Sequence, residues 1–150
     1  MAAGTFTLND SVAELIADGT IDLDTDTFKL QLHTSSYTPS AAHDELADLT
    51  NEHANGNGYT TGGATLASVT WNRASGVATF DSADVVWTAS GGSIVARYAV
   101  LYDDTSSGKK LIGYMLLDAT PGNVTATTGN TLTVAPHASA GWFQLTVNPA

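Results

Sequence analysis

A chain of 150 residues and 15.5 kDa is most economically one domain, 1–150, and its 43% of hydrophobic residues can fill a real core. The formal net charge of −10 sets fifteen acidic residues against Lys29, Arg73, Arg97, Lys109 and Lys110. Five scattered cations cannot replace the counterions on nucleic acid or hold an anionic membrane, so both are excluded as direct partners. The absence of cysteine excludes disulfides, thiolate nucleophiles and Cys-ligated zinc.

Only 13% of the residues are charged, about half the usual share of a soluble domain. Thr, Ala, Gly, Ser and Asn must therefore supply the polar surface. Hydroxyls and amides cost far less to desolvate than ions, which suits a surface covered by neighbours. No basic stretch followed by an apolar one opens the chain, and no apolar run reaches about 18 residues, so neither export nor a membrane span is expected. The sequons at Asn9 and Asn123 are then accidental.

In chain order, Leu8, Val12, Leu15 and Ile16 share one face of a short predicted helix, capped by Asn9 or Asp10 and closed by Gly19. In the following IDLDTDT, an extended reading puts Asp22, Asp24 and Asp26 on one face, opposite Ile21 and Leu23. TFKLQLHTS is a strand with Phe28, Leu30 and Leu32 inward and Lys29, Gln31 and His33 on the other face. Ser40 is placed to cap a second short helix, AAHDELADL.

NEHANGNGYTTGGATL (51–66) follows as a Gly-rich loop, and beyond it helical periodicity disappears. ATLASVTWN, GVATFDSADVVWT, SIVARYAVLYD, KLIGYMLLD, NVTATTGNTLTVA and GWFQLTV are apolar or β-branched. They are separated by turn chemistry at 74–76, 90–92, 103–110, 120–123 and 128–130. SIVARYAVLY and LIGYMLL are apolar on both faces and should be central strands covered on both sides. The expected fold is an all-β antiparallel sandwich of seven or eight strands, jelly-roll-like, with one or two short N-terminal helices.

None of the sequence's candidate sites completes a chemistry. Gly56, Gly58, Gly62 and Gly63 lack the helix and the Gly-Lys-Ser/Thr that a phosphate loop needs, since ATLASVTW should be a strand. A structural loop is the better reading, with glycines permitting the crossing into the sandwich, Tyr59 pinning it to the core, and Asn55 a bystander. Asp22, Asp24 and Asp26 begin like a calcium loop, but Thr27 and His33 stand where Gly and Glu are required. His43 and His53 are ten residues apart, not one helical turn, so they are no zinc-protease pair. No Gly-x-Ser-x-Gly elbow selects a nucleophile among the serines. Trp71, Trp87 and Trp142 could line a sugar groove, but they fall at inward strand positions. No catalytic, cofactor-binding or metal-ligating residue is expected, and no cofactor.

IDLDTDTFKLQLHTSSYTPS, HDELADLTNEHANGNGYTTGGATLASVTW, ATFDSADVVWTA, ARYAVLYDD and LIGYMLLD, in this order, resemble a family of small virion structural proteins of tailed bacteriophages. The resemblance runs from about Gly19 to Leu117, with NE…GNGYTTGGATL and ARYAVLYDD its most specific parts. MLLD at 115–118 departs from the family's aspartate-aromatic-glycine. The resemblance implies a non-enzymatic particle component, and a capsid decoration protein is the favoured reading. Its partners would be the major capsid protein and copies of itself, as in a trimer. A tail or neck protein and a carbohydrate-binding module are the alternatives. The expected contacts are the N-terminal arm (Ala2, Ala3, Gly4, Thr5, Phe6, Thr7) and the loop at Asp103 and Asp104, which the core leaves free.

Overall fold

Strand β2 (Phe28–His33) organises the molecule. Phe28, Leu30 and Leu32 alternate along one face and are each 0% exposed. β2 pairs antiparallel with β8 (Tyr98–Asp103), Leu30 opposite Leu101, and β8 pairs with β9 (Leu111–Leu116) across a bulge at Leu101/Tyr102. With edge strands β1 (Thr7–Leu8) and β3 (Ala64–Thr65), these form a five-stranded sheet in the order β1-β9-β8-β2-β3. The computed structural model describes residues 3–120 and 122–147. Met1 and Ala2, and Pro121 of the expected turn at 120–123, lie outside them.

Three smaller antiparallel sheets face this one. β4 (Thr70–Ala74) and β12 (Phe143–Thr146) flank β5 (Val77–Asp81), β6 (Val85–Thr88) pairs with β11 (Thr131–Val134), and β7 (Ile94–Ala96) pairs with β10 (Val124–Ala126). Their inward residues Phe80, Trp87, Ile94, Leu132 and Phe143 join Phe28, Leu30, Leu32, Leu101 and Ile112 in one core. The architecture is all-β, antiparallel and sandwich-like, but its pairings do not trace a closed jelly roll.

The structure divides several expected elements. SIVARYAVLY is two strands because Arg97 donates its N–H to His33 O at 2.8 Å and its carbonyl accepts Leu117 N–H at 2.9 Å, passing the chain from its pairing with β10 into the central sheet. GVATFDSADVVWT breaks at Ser82–Asp84, where Ser82 Oγ accepts the Trp142 indole N–H at 2.9 Å. β8 and β9 are covered on both sides as expected, the second cover being an irregular segment that carries Tyr37, Leu46 and Leu49. That segment was expected to contain a helix at 41–49 and has only a 3₁₀ turn, Leu46–Asp48. Its backbone is used elsewhere: Leu111 N–H donates to Asp44 O and Leu46 N–H to Lys109 O, both at 3.0 Å. These long-range bonds hold Glu45 extended and outcompete helical ones.

Helix α1 (Val12–Ala17) forms and ends before Gly19 at φ +79°, but neither Asn9 nor Asp10 caps it. Ser11 occupies that place, while buried Asn9 donates Nδ2–H to the carbonyls of Ser40, Ala41 and His43. Leu8 belongs to β1. IDLDTDT is a turn, not an extended run. Asp22 Oδ1 accepts Asp24 N–H at 3.0 Å and Asp26 Oδ2 accepts Asp22 N–H at 2.7 Å, while Ile21 and Leu23 are buried beneath.

Candidate functional site

The Gly-rich loop is built around Glu52 and Tyr59. Glu52 Oε1 accepts the Tyr59 hydroxyl at 2.7 Å and Gly62 N–H at 2.6 Å. The Tyr59 oxygen in turn accepts Leu32 N–H from β2 at 3.1 Å, and the buried ring meets His53 edge-on and packs at a tilt against Trp87. Tyr102 donates its hydroxyl to Gly62 O at 2.7 Å from the opposite face of the sheet. Burial first, and then the Glu52 carboxylate, push the Tyr59 phenol well above its usual range, so it stays a donor.

Gly56, Gly58, Gly62 and Gly63 all have positive φ. A Cβ would lie 2.0 Å from a backbone oxygen at both Gly58 (Thr88 O) and Gly63 (Leu30 O), and Gly63 is the tighter of the two because Leu30 C and Gln31 Cα would also fall within 2.8 Å. Asn55 is not a bystander, because its Oδ1 accepts Thr61 N–H at 3.2 Å and ties the two arms of the loop.

Beside this loop lies a hollow of about 300 Å³ lined by Gln31, His33, Thr50, Glu52 and Gly62 among others. Its polar groups are the nearest approach to a reactive cluster, yet they are already engaged. His33 is buried, with Nδ1 at 2.8 Å from Thr50 O and Nε2 at 2.9 Å from the Gln31 amide. Burial lowers its pKa and keeps the ring neutral. Both ring nitrogens are thus spent on contacts within the fold. His33, positioned by Gln31, therefore holds the covering segment to the sheet through Thr50, on the face that alternation leaves without an assigned cover.

The remaining candidates resolve similarly. Ser139 Oγ lies 3.3 Å from His137 Nδ1, but the same nitrogen accepts the N–H of Ser139 and of Ala140, which is turn chemistry. Among the described residues no group of three or more His, Asp or Glu is arranged to hold a metal ion. Trp87 and Trp142 are buried in the core, and half-buried Trp71 packs on Phe143 at 6.1 Å, so no row of open indoles forms a sugar platform.

The expected contact residues need correction. Ala2 lies outside the described residues. Gly4 donates its N–H to Leu116 O at 2.8 Å, Thr7 pairs with Tyr114, and Phe6 packs on Trp142 at 5.6 Å. The N-terminal segment is thus bound to β9 and covers the core, not a free arm. Within it Ala3, Thr5 and Thr7 point outward.

Asp103 is 0% exposed and cannot be a contact residue. Its Oδ1 accepts Thr105 N–H at 2.8 Å and Ser106 N–H at 3.3 Å to build the turn, and burial raises its pKa. Asp104 is half-buried between Lys29, at 3.0 Å, and Lys109. Burial opposes its ionisation, but the two lysines outweigh this and hold its carboxyl below the usual range. The exposed atoms of this turn belong to Thr105, Ser107 and Gly108.

The periodicity of the sequence could not have found the Glu52–Tyr59–Gly62–Tyr102 brace, since only the fold brings residues 52 and 102 together. Compared with protein-family models, curated proteins and solved structures, the chain finds no match.

Proposed function

We propose that this protein is a non-enzymatic virion structural component that binds the outer surface of a bacteriophage head and stabilises the lattice of the major capsid protein. The observation that carries this reading is the chemistry of the exposed strand positions. Thr65, Thr70, Asn72, Thr88, Thr133 and Thr146 all face outward, where a free-standing domain would place Lys and Glu. Such a surface can be covered by neighbours without the cost of desolvating ions. The resemblance of residues 19–117 to phage virion proteins points the same way, and the net charge of −10 favours a position away from packaged DNA. Binding only to the intact lattice stabilises it by mass action, and many copies add their modest contacts.

The corrected geometry changes which surfaces could make those contacts. The outward row Ala3, Thr5 and Thr7 on the edge beside β9, and the turn at Thr105 to Gly108, are available as ordered surfaces. Particles lacking the protein should assemble but release DNA on heating sooner than complete ones. Purified protein added back should restore resistance and saturate at a fixed ratio to the capsid subunit. Stable, DNA-filled heads without tails would overturn the proposal in favour of a tail or neck role.

A further inference from the structure

We infer that this chain pairs with a second copy of itself through the outer edge of β4, in a two-fold dimer that sets Arg73 of each copy on Trp71 of the other. Among the described residues β4 bonds only to β5, so one side of its backbone is unpaired there. Thr70, Asn72, Arg73 and Ala74 are exposed and Trp71 is half-buried. The strand has no proline and no bulge to guard that edge. Arg73 makes no ion pair or hydrogen bond among the described residues. The other four cations are engaged: Lys29 and Lys109 by Asp104, Lys110 by Asp44 and Glu45, Arg97 by Asn123.

The register follows from symmetry and charge. A two-fold axis perpendicular to the sheet keeps each face on its own side, so directly opposed residues must share a face. Centring on Arg73 would oppose two guanidinium groups. Centring on Trp71 would leave Ala74 unpaired. Centring on Asn72 pairs all five residues: Thr70 with Ala74, Trp71 with Arg73, and Asn72 with itself.

In that register each guanidinium reaches an indole that already lines a hollow of about 320 Å³ with Ile16, Ile21, Asp22 and Leu23. Asp22 also lines this hollow, which places an acidic residue near the incoming cation as an oppositely charged partner. Because the contact is isologous it closes at two copies, in place of the trimer expected from the resemblance. The inference stands independently of the proposed role on the particle.

The absence of native cysteine makes the register directly testable. In N72C the two thiols would face each other across the axis, on backbones about 4.5–5.5 Å apart, within disulfide reach. In R73C they would be two residues out of register, beyond the roughly 7 Å limit. Under mild oxidation of the full chain, N72C should give a disulfide-linked dimer, with R73C slower by about tenfold or more. Adding R73E to N72C should slow its cross-linking comparably, since a carboxylate would then face Asp22. All of these positions are exposed, and unchanged circular dichroism verifies folding. Equal rates for N72C and R73C, a folded N72C that stays uncross-linked at high concentration, or indifference to R73E would each overturn the inference.

Discussion

The two faces of the five-stranded sheet are covered by different means. On the inner face, Phe28, Leu30, Leu32, Leu101 and Ile112 meet apolar residues of three other sheets in one continuous cluster. On the outer face, Tyr37, Val100, Tyr102 and Leu111 form a small cluster under an irregular segment held largely by hydrogen bonds. Asn9, Gln31 and His33 are buried there or beside it; Asn9 and His33 reach backbone carbonyls distant from their own turn and strand, and Gln31 holds the His33 ring from within β2. Burial of apolar area holds one face, and satisfaction of polar groups fixes the conformation of the other.

The largest difference between the faces should appear on truncation. Phe28 and Phe80 meet edge-on at 4.9 Å, both 0% exposed. Phe28→Ala or Phe80→Ala should cost about 3–5 kcal/mol in chemical denaturation. Leu46→Ala, on the partly exposed outer cover, should cost about 1–2 kcal/mol, less than the fully buried Leu→Ala range. Equal losses would erase the distinction.

This difference also explains what was legible in the sequence. Alternation revealed the inner face, since Phe28, Leu30 and Leu32 announce themselves at period two. It also reads SIVARYAVLY and LIGYMLL as covered on both faces, which holds for Tyr98–Asp103 and Leu111–Leu116 but not for Ile94–Ala96, where Val95 is exposed. It could not show what the second cover was. Residues 41–49 have helical periodicity, but the backbone groups of Asp44 and Leu46 bond to Leu111 of β9 and to Lys109 just before it, more than 60 positions away. Tyr59 could be read as an anchor because an aromatic residue among glycines needs a place to pack, yet its acceptor Glu52 and the donor Leu32 emerge only with the fold. Asp103 was misread for a similar reason: acidic turn residues are ordinarily exposed, and here the carboxylate folds inward to organise the turn.

The Gly-rich loop joins the two faces, and graded substitutions there should separate close approach from backbone strain. Gly63→Ala would drive a methyl group into Leu30 O and should cost about 2–3 kcal/mol. Gly56→Ala, with nothing within 4 Å of its Cβ position, should cost about 1 kcal/mol from φ alone. Tyr59→Phe should cost about 1–2 kcal/mol, because it leaves Leu32 N–H without an acceptor and Glu52 with one donor fewer. If Gly63→Ala and Gly56→Ala proved equal, the approach of the loop to β2 would not be rigid.

The smallest effect is one of pH. The folded-state pKa of His33 lies below its ordinary 6.5 because burial disfavours the imidazolium. The unfolded chain then binds the proton first, so this contribution is full above pH 6.5 and is lost as pH falls towards the folded value. Denaturation midpoints measured at falling pH should drop through this window, and less so in His33→Gln. An identical drop in both proteins would remove His33 as the cause.

The central claim is that the chain is architecture on the outside of a phage head, and electron cryomicroscopy of the intact particle tests it most directly. The account predicts density matching this sandwich on the outer face of the shell, in fixed ratio to the capsid subunits. Density confined to the tail or neck, or particles without the protein at all, would contradict it.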